Sequence, residues 1–167
     1  MNSIACMVFD VDGVLTDGGI SITDSGEEIK TFNSRDGHGM KLLMRAGIEV
    51  AILTGRTSRV VDHRAKELGI THVIQGAKDK KAALLDLAAR IGIEPSRMAY
   101  MGDDVIDLPP MALCSLTFAP GDAMEMVRQR ADVVTTLPGG RGAAREAIEV
   151  LLKRLDLFDK VMERYAE

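Results

Sequence analysis

A nearly continuous apolar run from Ile4 to Val11 ends around two aspartates one residue apart, Asp10 within it and Asp12 just past it, with Gly13 directly after. Unbroken apolar runs of this length suit a strand covered on both faces, a condition met mainly in parallel sheets wrapped by helices. Residues two apart on a strand share a face, so Asp10 and Asp12 leave its carboxyl edge on the same side. In parallel α/β sheets that edge holds the ligand crevice. Two carboxylates so close repel one another, and burying them uncompensated is costly. The pair therefore predicts a bound cation or a shared proton, and hard oxygen ligands favour magnesium or calcium.

The rest of the chain alternates the same two patterns. Apolar strands are expected at Glu49 to Leu53, His72 to Gln75, Arg97 to Met101, Leu116 to Ala119 and Val133-Val134. Between them lie helical stripes at Asp36 to Ala46, Ser58 to Leu68, Asp79 to Ile91, Asp122 to Arg130 and Ala143 to about Leu155, and Lys153 to Glu167 reads as a closing amphipathic helix. Strands alternating with helices over short connections predict one α/β domain spanning 1–167, a Rossmann-like parallel sheet with helices on both faces. One segment departs from the alternation. Ile20 to Thr23 and Glu28 to Phe32 flank the turn residues Asp24-Ser25-Gly26, which predicts a β-hairpin over about 18–33, protruding after the first strand. Its Ile20, Ile22, Ile29 and Phe32 would be an exposed apolar edge unless a partner subunit covers them.

Bulk properties exclude several classes. A formal charge of −4 gives no basic surface for nucleic acid. No apolar run reaches the roughly 18 residues a membrane span needs. The start of the chain lacks the basic region and cleavage site of a signal peptide, and Cys6 and Cys114 form no metal pattern, so a cytoplasmic protein is expected. His38, His63 and His72 lack metal-like spacing, and the glycine-rich Gly139-Gly140-Arg141-Gly142 lacks the Lys-Ser/Thr of a nucleotide P-loop.

Each polar cluster of interest follows a strand. Asp10 and Asp12 follow the first, Thr54 and Arg56 the second, Gln75 to Lys80 the third, and Asp103, Asp104 and Asp107 the fourth. Converging at one sheet edge, these termini could build a magnesium site, with a hydroxyl and an ammonium beside it to hold the oxygens of a phosphoryl group. Carboxylate, metal, hydroxyl and lysine together suit phosphoryl transfer through an aspartyl-phosphate.

Asp10-Val-Asp12-Gly-Val-Leu-Thr16, Leu53-Thr54-Gly55-Arg56, Lys80 and Gly102-Asp103-Asp104-x-x-Asp107 resemble, in order, the four motifs of the haloacid dehalogenase superfamily of aspartate-nucleophile phosphohydrolases. The resemblance implies Asp10 as nucleophile, Asp12 as general acid and then base, and Thr54 and Lys80 as phosphoryl-binding residues. It implies Mg²⁺ held by Asp10, the backbone carbonyl of Asp12 and Asp103, with Asp104 and Asp107 in support. An aspartate at position 12 is kept in the phosphatases and mutases of the superfamily and is missing from its dehalogenases. About 40 residues separate Asp12 from Thr54, and a hairpin and one helix consume them, so no cap domain is expected.

Asp17-Gly18, Phe32-Asn33-x-Arg35-Asp36-Gly37-x-Gly39, Ile70-Thr71-His72 with Gln75-Gly76, and Gly139-Gly140-Arg141-Gly142-x-x-Arg145-Glu146 look like the capless 3-deoxy-D-manno-octulosonate 8-phosphate phosphatases. That resemblance implies a homotetramer built through the hairpins, and a phosphorylated sugar-acid substrate from lipopolysaccharide precursor synthesis. Arg35, Gly55, Arg56, Arg64, Gln75, Arg141 and Arg145 are the candidates for substrate contact, the last two arginines across a subunit boundary. A sister family acting on nine-carbon sialic-acid-type 9-phosphates is the alternative. Arg56 and Arg35-Asp36-Gly37 favour the octulosonate enzymes. An inactive assembly protein of the same fold, or an open-site phosphatase of phosphoproteins or nucleotides, are further readings. The amphipathic end of the chain departs from the family, which often closes in a flexible glycine-containing tail.

Overall fold

A computed structural model describes residues 4–166. Six parallel strands form the main sheet in the order β5-β4-β1-β6-β7-β8. They are β1 (Cys6–Phe9), β4 (Glu49–Leu53), β5 (His72–Ile74), β6 (Met98–Met101), β7 (Leu116–Ala119) and β8 (Val133–Val134). The chain runs outward from β1 through β4 to β5, then crosses back to place β6 on the other side of β1. That reversal around β1 is the topological switch point at which α/β sheets open a crevice.

Successive β1 residues face opposite sides. Met7 and Phe9 join the core beneath α1 (Ser34–Arg45), α2 (Arg59–Leu68) and α6 (Ala143–Arg154), whereas Cys6 and Val8 pack towards α3 (Lys80–Ile91), α4 (Leu108–Met111) and α5 (Glu125–Arg128). All four strand residues are fully buried, which accounts for their unbroken hydrophobicity. The ladder itself is shorter than the apolar run, but Asp10 extends it by donating its N–H to the Met101 carbonyl at 3.1 Å.

The expected hairpin forms as β2 (Ser21–Ile22) against β3 (Glu28–Ile29). Ile20, Ile22 and Ile29 are exposed. Phe32 corrects the expectation. It packs against the core, with the Arg64 guanidinium 5.6 Å above its ring. Among the described residues, only the hairpin, α1 and β4 lie between Asp12 and Thr54, so no cap domain stands over the sheet edge.

Three further boundaries differ from the sequence pattern. Helix α5 covers only Glu125–Arg128, because Asp122 turns away to accept the Gly139 N–H at 2.9 Å. The closing segment is not one helix. Helix α6 stops at Arg154, Asp156 takes a left-handed φ of 57°, and a separate α7 (Phe158–Met162) follows; Glu167 lies outside the described residues. Between β6 and β7, a 3₁₀ turn at Val105–Asp107 leads into α4, which has a proline in its first turn. Segments this short show no period, and prolines read as breakers rather than as helix starts.

Candidate active site

The chain leaves β1 through a tight turn in which the N–H groups of Val14, Leu15 and Thr16 all point to the Val11 carbonyl. Gly13 sits at φ 83°, and a Cβ there would lie 2.0 Å from Asp103 Oδ2. The glycine thus serves twice, by adopting a left-handed backbone and by letting the Asp103 carboxylate approach the first motif. Gly139 answers from the far side, since a Cβ on it would lie 1.9 Å from the Gly13 carbonyl oxygen.

On the other flank, Lys80 enters from the first turn of α3. A cation there opposes the helix macrodipole, but Lys80 Nζ reaches Asp10 Oδ2 at 2.8 Å and Asp107 Oδ1 at 2.7 Å, and its side chain is 2 % exposed. The exposed Lys78 and Lys81 take no part. Asp107 is fully buried and also accepts the Tyr100 hydroxyl at 2.9 Å and the N–H groups of Asp103 and Asp104 at 3.1 and 3.3 Å. Asp10 Oδ1 accepts the Val11 N–H at 2.7 Å. Thr54 is buried after β4 and lines the same cleft, of about 240 Å³, with Gly55, Arg56 and Asp12.

Burial raises the Asp10 pKa to about 7, helped by the Asp107 charge and opposed by Lys80. Burial likewise raises Asp103 to about 7, with Asp10 and Asp107 adding repulsion. Desolvation pulls Lys80 downward, but the two carboxylates more than offset it and its net shift is upward, so it remains an ammonium at neutral pH. Oxygens of Asp10, Asp103 and Asp107 all come within 4.8 Å of one another. A divalent cation fits this hard-oxygen set and would relieve the charge crowding that lifts both aspartates. Asp107 is the least suited of the three to ligate it. An ionised carboxylate offers about four lone-pair sites, and Lys80, Tyr100 and two backbone amides already fill them. Asp10 and Asp103 are the side chains left to hold a metal.

Of the other residues singled out by sequence, Arg56 reaches the cleft mouth, its Nε 3.9 Å from Asp12 Oδ2. Gln75 lies below, where its Oε1 accepts the Ser58 N–H and its Nε2 donates to Asp62, both at 2.7 Å, pinning the start of α2. Arg64 ties α2 to α1 by donating to the Asn33 carbonyl. Arg35, Arg141 and Arg145 line a separate concavity beside the start of α6. Asp104 caps the following 3₁₀ turn by accepting the Val105 N–H at 2.7 Å. Two participants escaped sequence reasoning. Tyr100 is the sole hydroxyl in the strand Met98–Met101, two residues before Gly102, and that was its one available signal. Lys30, whose ammonium comes from the hairpin to pair with Asp12, carries none.

The profile of the haloacid dehalogenase-like hydrolases matches residues 26–114. The 3-deoxy-D-manno-octulosonate 8-phosphate phosphatase KdsC of Escherichia coli K12 is 47 % identical over 150 residues, covering 90 % of this chain and 80 % of the relative. The crystal structure of the same-named phosphatase from Moraxella catarrhalis, in complex with a magnesium ion, a phosphate ion and a KDO molecule, superposes with a TM-score of 0.94 at 43 % identity, covering 98 % of this chain and 94 % of that one. The Yersinia pestis phosphatase gives a TM-score of 0.92 at 43 % identity, covering 95 % and 85 %. Four motifs converging on one sheet edge, over a fold shared nearly end to end, place this chain among the haloacid dehalogenase-like hydrolases, in the family of the 3-deoxy-D-manno-octulosonate 8-phosphate phosphatases.

Proposed function

We propose that this protein is a phosphomonoesterase that hydrolyses 3-deoxy-D-manno-octulosonate 8-phosphate to the free sugar acid and phosphate, with Mg²⁺ as cofactor. The observation that carries the reading is Lys80, buried and clamped between Asp10 and Asp107 beside Asp103. A phosphoryl group entering this cleft meets a carboxylate nucleophile, an ammonium and the Thr54 hydroxyl together. The same-named relatives supply the sugar acid, and they favour the eight-carbon substrate over the nine-carbon alternative.

An oxygen of Asp10 attacks phosphorus as the bond to the sugar oxygen breaks, and Asp12 gives that oxygen its proton. Asp12, now a carboxylate, takes a proton from the water that attacks the aspartyl-phosphate, returning Asp10 as a carboxylate and releasing phosphate. Lys80 and Thr54 hold the equatorial oxygens during both displacements. Asp10, the Asp12 carbonyl and Asp103 would hold Mg²⁺, which would supply Lewis-acid neutralisation of the charge gathered on those oxygens. Tyr100 and the two backbone amides fix Asp107, and Asp107 in turn fixes Lys80. Arg56 at the mouth offers a bidentate partner for the substrate carboxylate.

The protein acts as a homotetramer through its hairpin. Three exposed isoleucines on one short ribbon support this, being an apolar edge that assembly would bury. Two free thiols fit the reducing cytoplasm, where a lipopolysaccharide precursor would be dephosphorylated. No helix among the described residues is long and apolar enough to cross a membrane.

Phosphate release from the eight-carbon 8-phosphate and a nine-carbon 9-phosphate, each with Mg²⁺ or EDTA, tests the proposal. Turnover of the former at higher kcat/KM, lost in EDTA and restored by Mg²⁺, is expected. Preference for the nine-carbon ester would move the protein to the sister family, and indifference to metal would overturn the site.

A further inference from the structure

Lys30 follows Ile29 at the end of the hairpin's returning strand. Neighbouring residues on an extended chain point to opposite sides. Ile29 is 57 % exposed, whereas the Lys30 side chain is turned inward and only 2 % exposed. Its Nζ donates to Asp12 Oδ1 at 2.5 Å and lies 3.1 Å from Glu28 Oε1. Arg56 Nη2 closes the group by donating to Glu28 Oε1 at 3.2 Å.

Burying an ammonium costs several kcal/mol unless excellent partners offset it, so a lysine is an expensive anchor for a surface hairpin. An apolar side chain would serve that purpose better. What a lysine adds is three donors and no acceptor. A donor fixed on Asp12 Oδ1 requires that oxygen to accept, whether the carboxyl is ionised or neutral. A carbonyl-type oxygen accepts from an ammonium better than a hydroxyl oxygen does, so this contact favours the carboxyl's own proton on Oδ2, which lies 3.9 Å from Arg56 Nε.

We infer that Lys30 is a positioning residue for proton transfer, holding Asp12 so that Oδ2 alone exchanges protons with the substrate. The inference rests on the role of Asp12 proposed above. In the first displacement the P–O bond to the sugar breaks as the Asp10–P bond forms, and the Oδ2 proton moves to the departing oxygen. In the second, the attacking water returns a proton to Oδ2 as the Asp10–P bond breaks. Lys30 keeps all its own protons throughout.

The test compares two leaving groups in Lys30→Met. The parameter kcat/KM reports only steps up to departure of the alcohol. A sugar alkoxide needs a proton to leave, whereas p-nitrophenolate departs as a stable anion. Lys30→Met is expected to lower kcat/KM for the sugar phosphate by roughly 30-fold, a share of the ~10²–10⁴ that a well-placed general acid contributes. For p-nitrophenyl phosphate the fall should stay below about threefold, because little proton transfer is then at stake. In an Asp12→Asn background, Lys30→Met should add almost nothing. Equal losses on both substrates, or no loss, would overturn the inference and leave Lys30 as a structural anchor. If Lys30→Met does not fold, Lys30→Arg carries the same comparison, since it keeps the charge but displaces it, and the same two outcomes decide. Failure of the functional reading is separable, because it appears in the wild-type enzyme as no turnover of the sugar phosphate. The leaving-group comparison then stands on any primary alkyl phosphate the enzyme cleaves.

Discussion

Asp10 faces two demands that its surroundings must reconcile. In the proposed mechanism it is a nucleophile near neutral pH, yet it is buried beside Asp103 and Asp107. The Lys80 ammonium and a divalent cation are what keep it ionised. Asp10→Asn retains an oxygen to accept the Val11 N–H but lacks the nucleophilic carboxylate, so turnover should vanish while far-UV circular dichroism stays unchanged. The same crowding sets a stability signature. Asp10 and Asp103 have their pKa values raised from 3.8 to about 7, so without metal the folded state binds more protons than the unfolded chain between those values. The penalty is full above about 7 and is relieved as acid protonates the two groups. In EDTA, the melting temperature should therefore rise from about pH 8 to about pH 6, and saturating Mg²⁺ should flatten this trend. Lys80, shifted upward from 10.5, contributes constantly across that window. Melting curves with and without Mg²⁺ check both statements.

At the level of elements, the site is a junction between the β1 turn and a loop from more than a hundred residues later. Helix α6 begins at Ala143, and Asp36 of α1 caps it across space, Oδ1 accepting the Arg145 N–H at 2.9 Å. The glycines just before α6 press on the Gly13–Thr16 turn, where Gly13 in turn stands against the Asp103 carboxylate. Gly139→Ala adds one methyl where the Gly13 carbonyl already stands, and backbone on both sides leaves little room to yield. A loss of about 1–3 kcal/mol is expected, together with reduced kcat because the β1 turn must shift. Urea denaturation and steady-state kinetics on the same preparation would show both. The motif Arg35-Asp36-Gly37 was visible in sequence as a family feature, but its use as a cap for a distant helix was not. Capping is readable when donor and acceptor are neighbours, and these lie 109 residues apart.

For the whole molecule, the hairpin would join the proposed assembly to the proposed chemistry. Its outward side presents Ile20, Ile22 and Ile29, while its inward side delivers Lys30 to Asp12. Ile22→Asp with Ile29→Asp should dissociate the proposed tetramer, as measured by sedimentation velocity, and lower kcat by loosening the Lys30 arm. A tetramer that survives both changes would place the interface elsewhere.

Strand ends, the order of motifs and the lack of a cap were all legible in the chain, because apolar runs report burial and a polar residue at the end of one reports the sheet's edge. The choice of Asp10, Thr54, Lys80 and Asp103 as candidate site residues followed from that local grammar together with the resemblance of the four motifs. Folding alone settled that Lys30 reaches Asp12, that Asp107 spends its lone pairs on Lys80 and Tyr100, and that Arg64 and Gln75 brace helices outside the cleft. The Lys30 and Lys80 pairings span 18 and 27 residues. Hydrophobic period constrains which face a residue takes, whereas the partner it meets there depends on how distant segments pack.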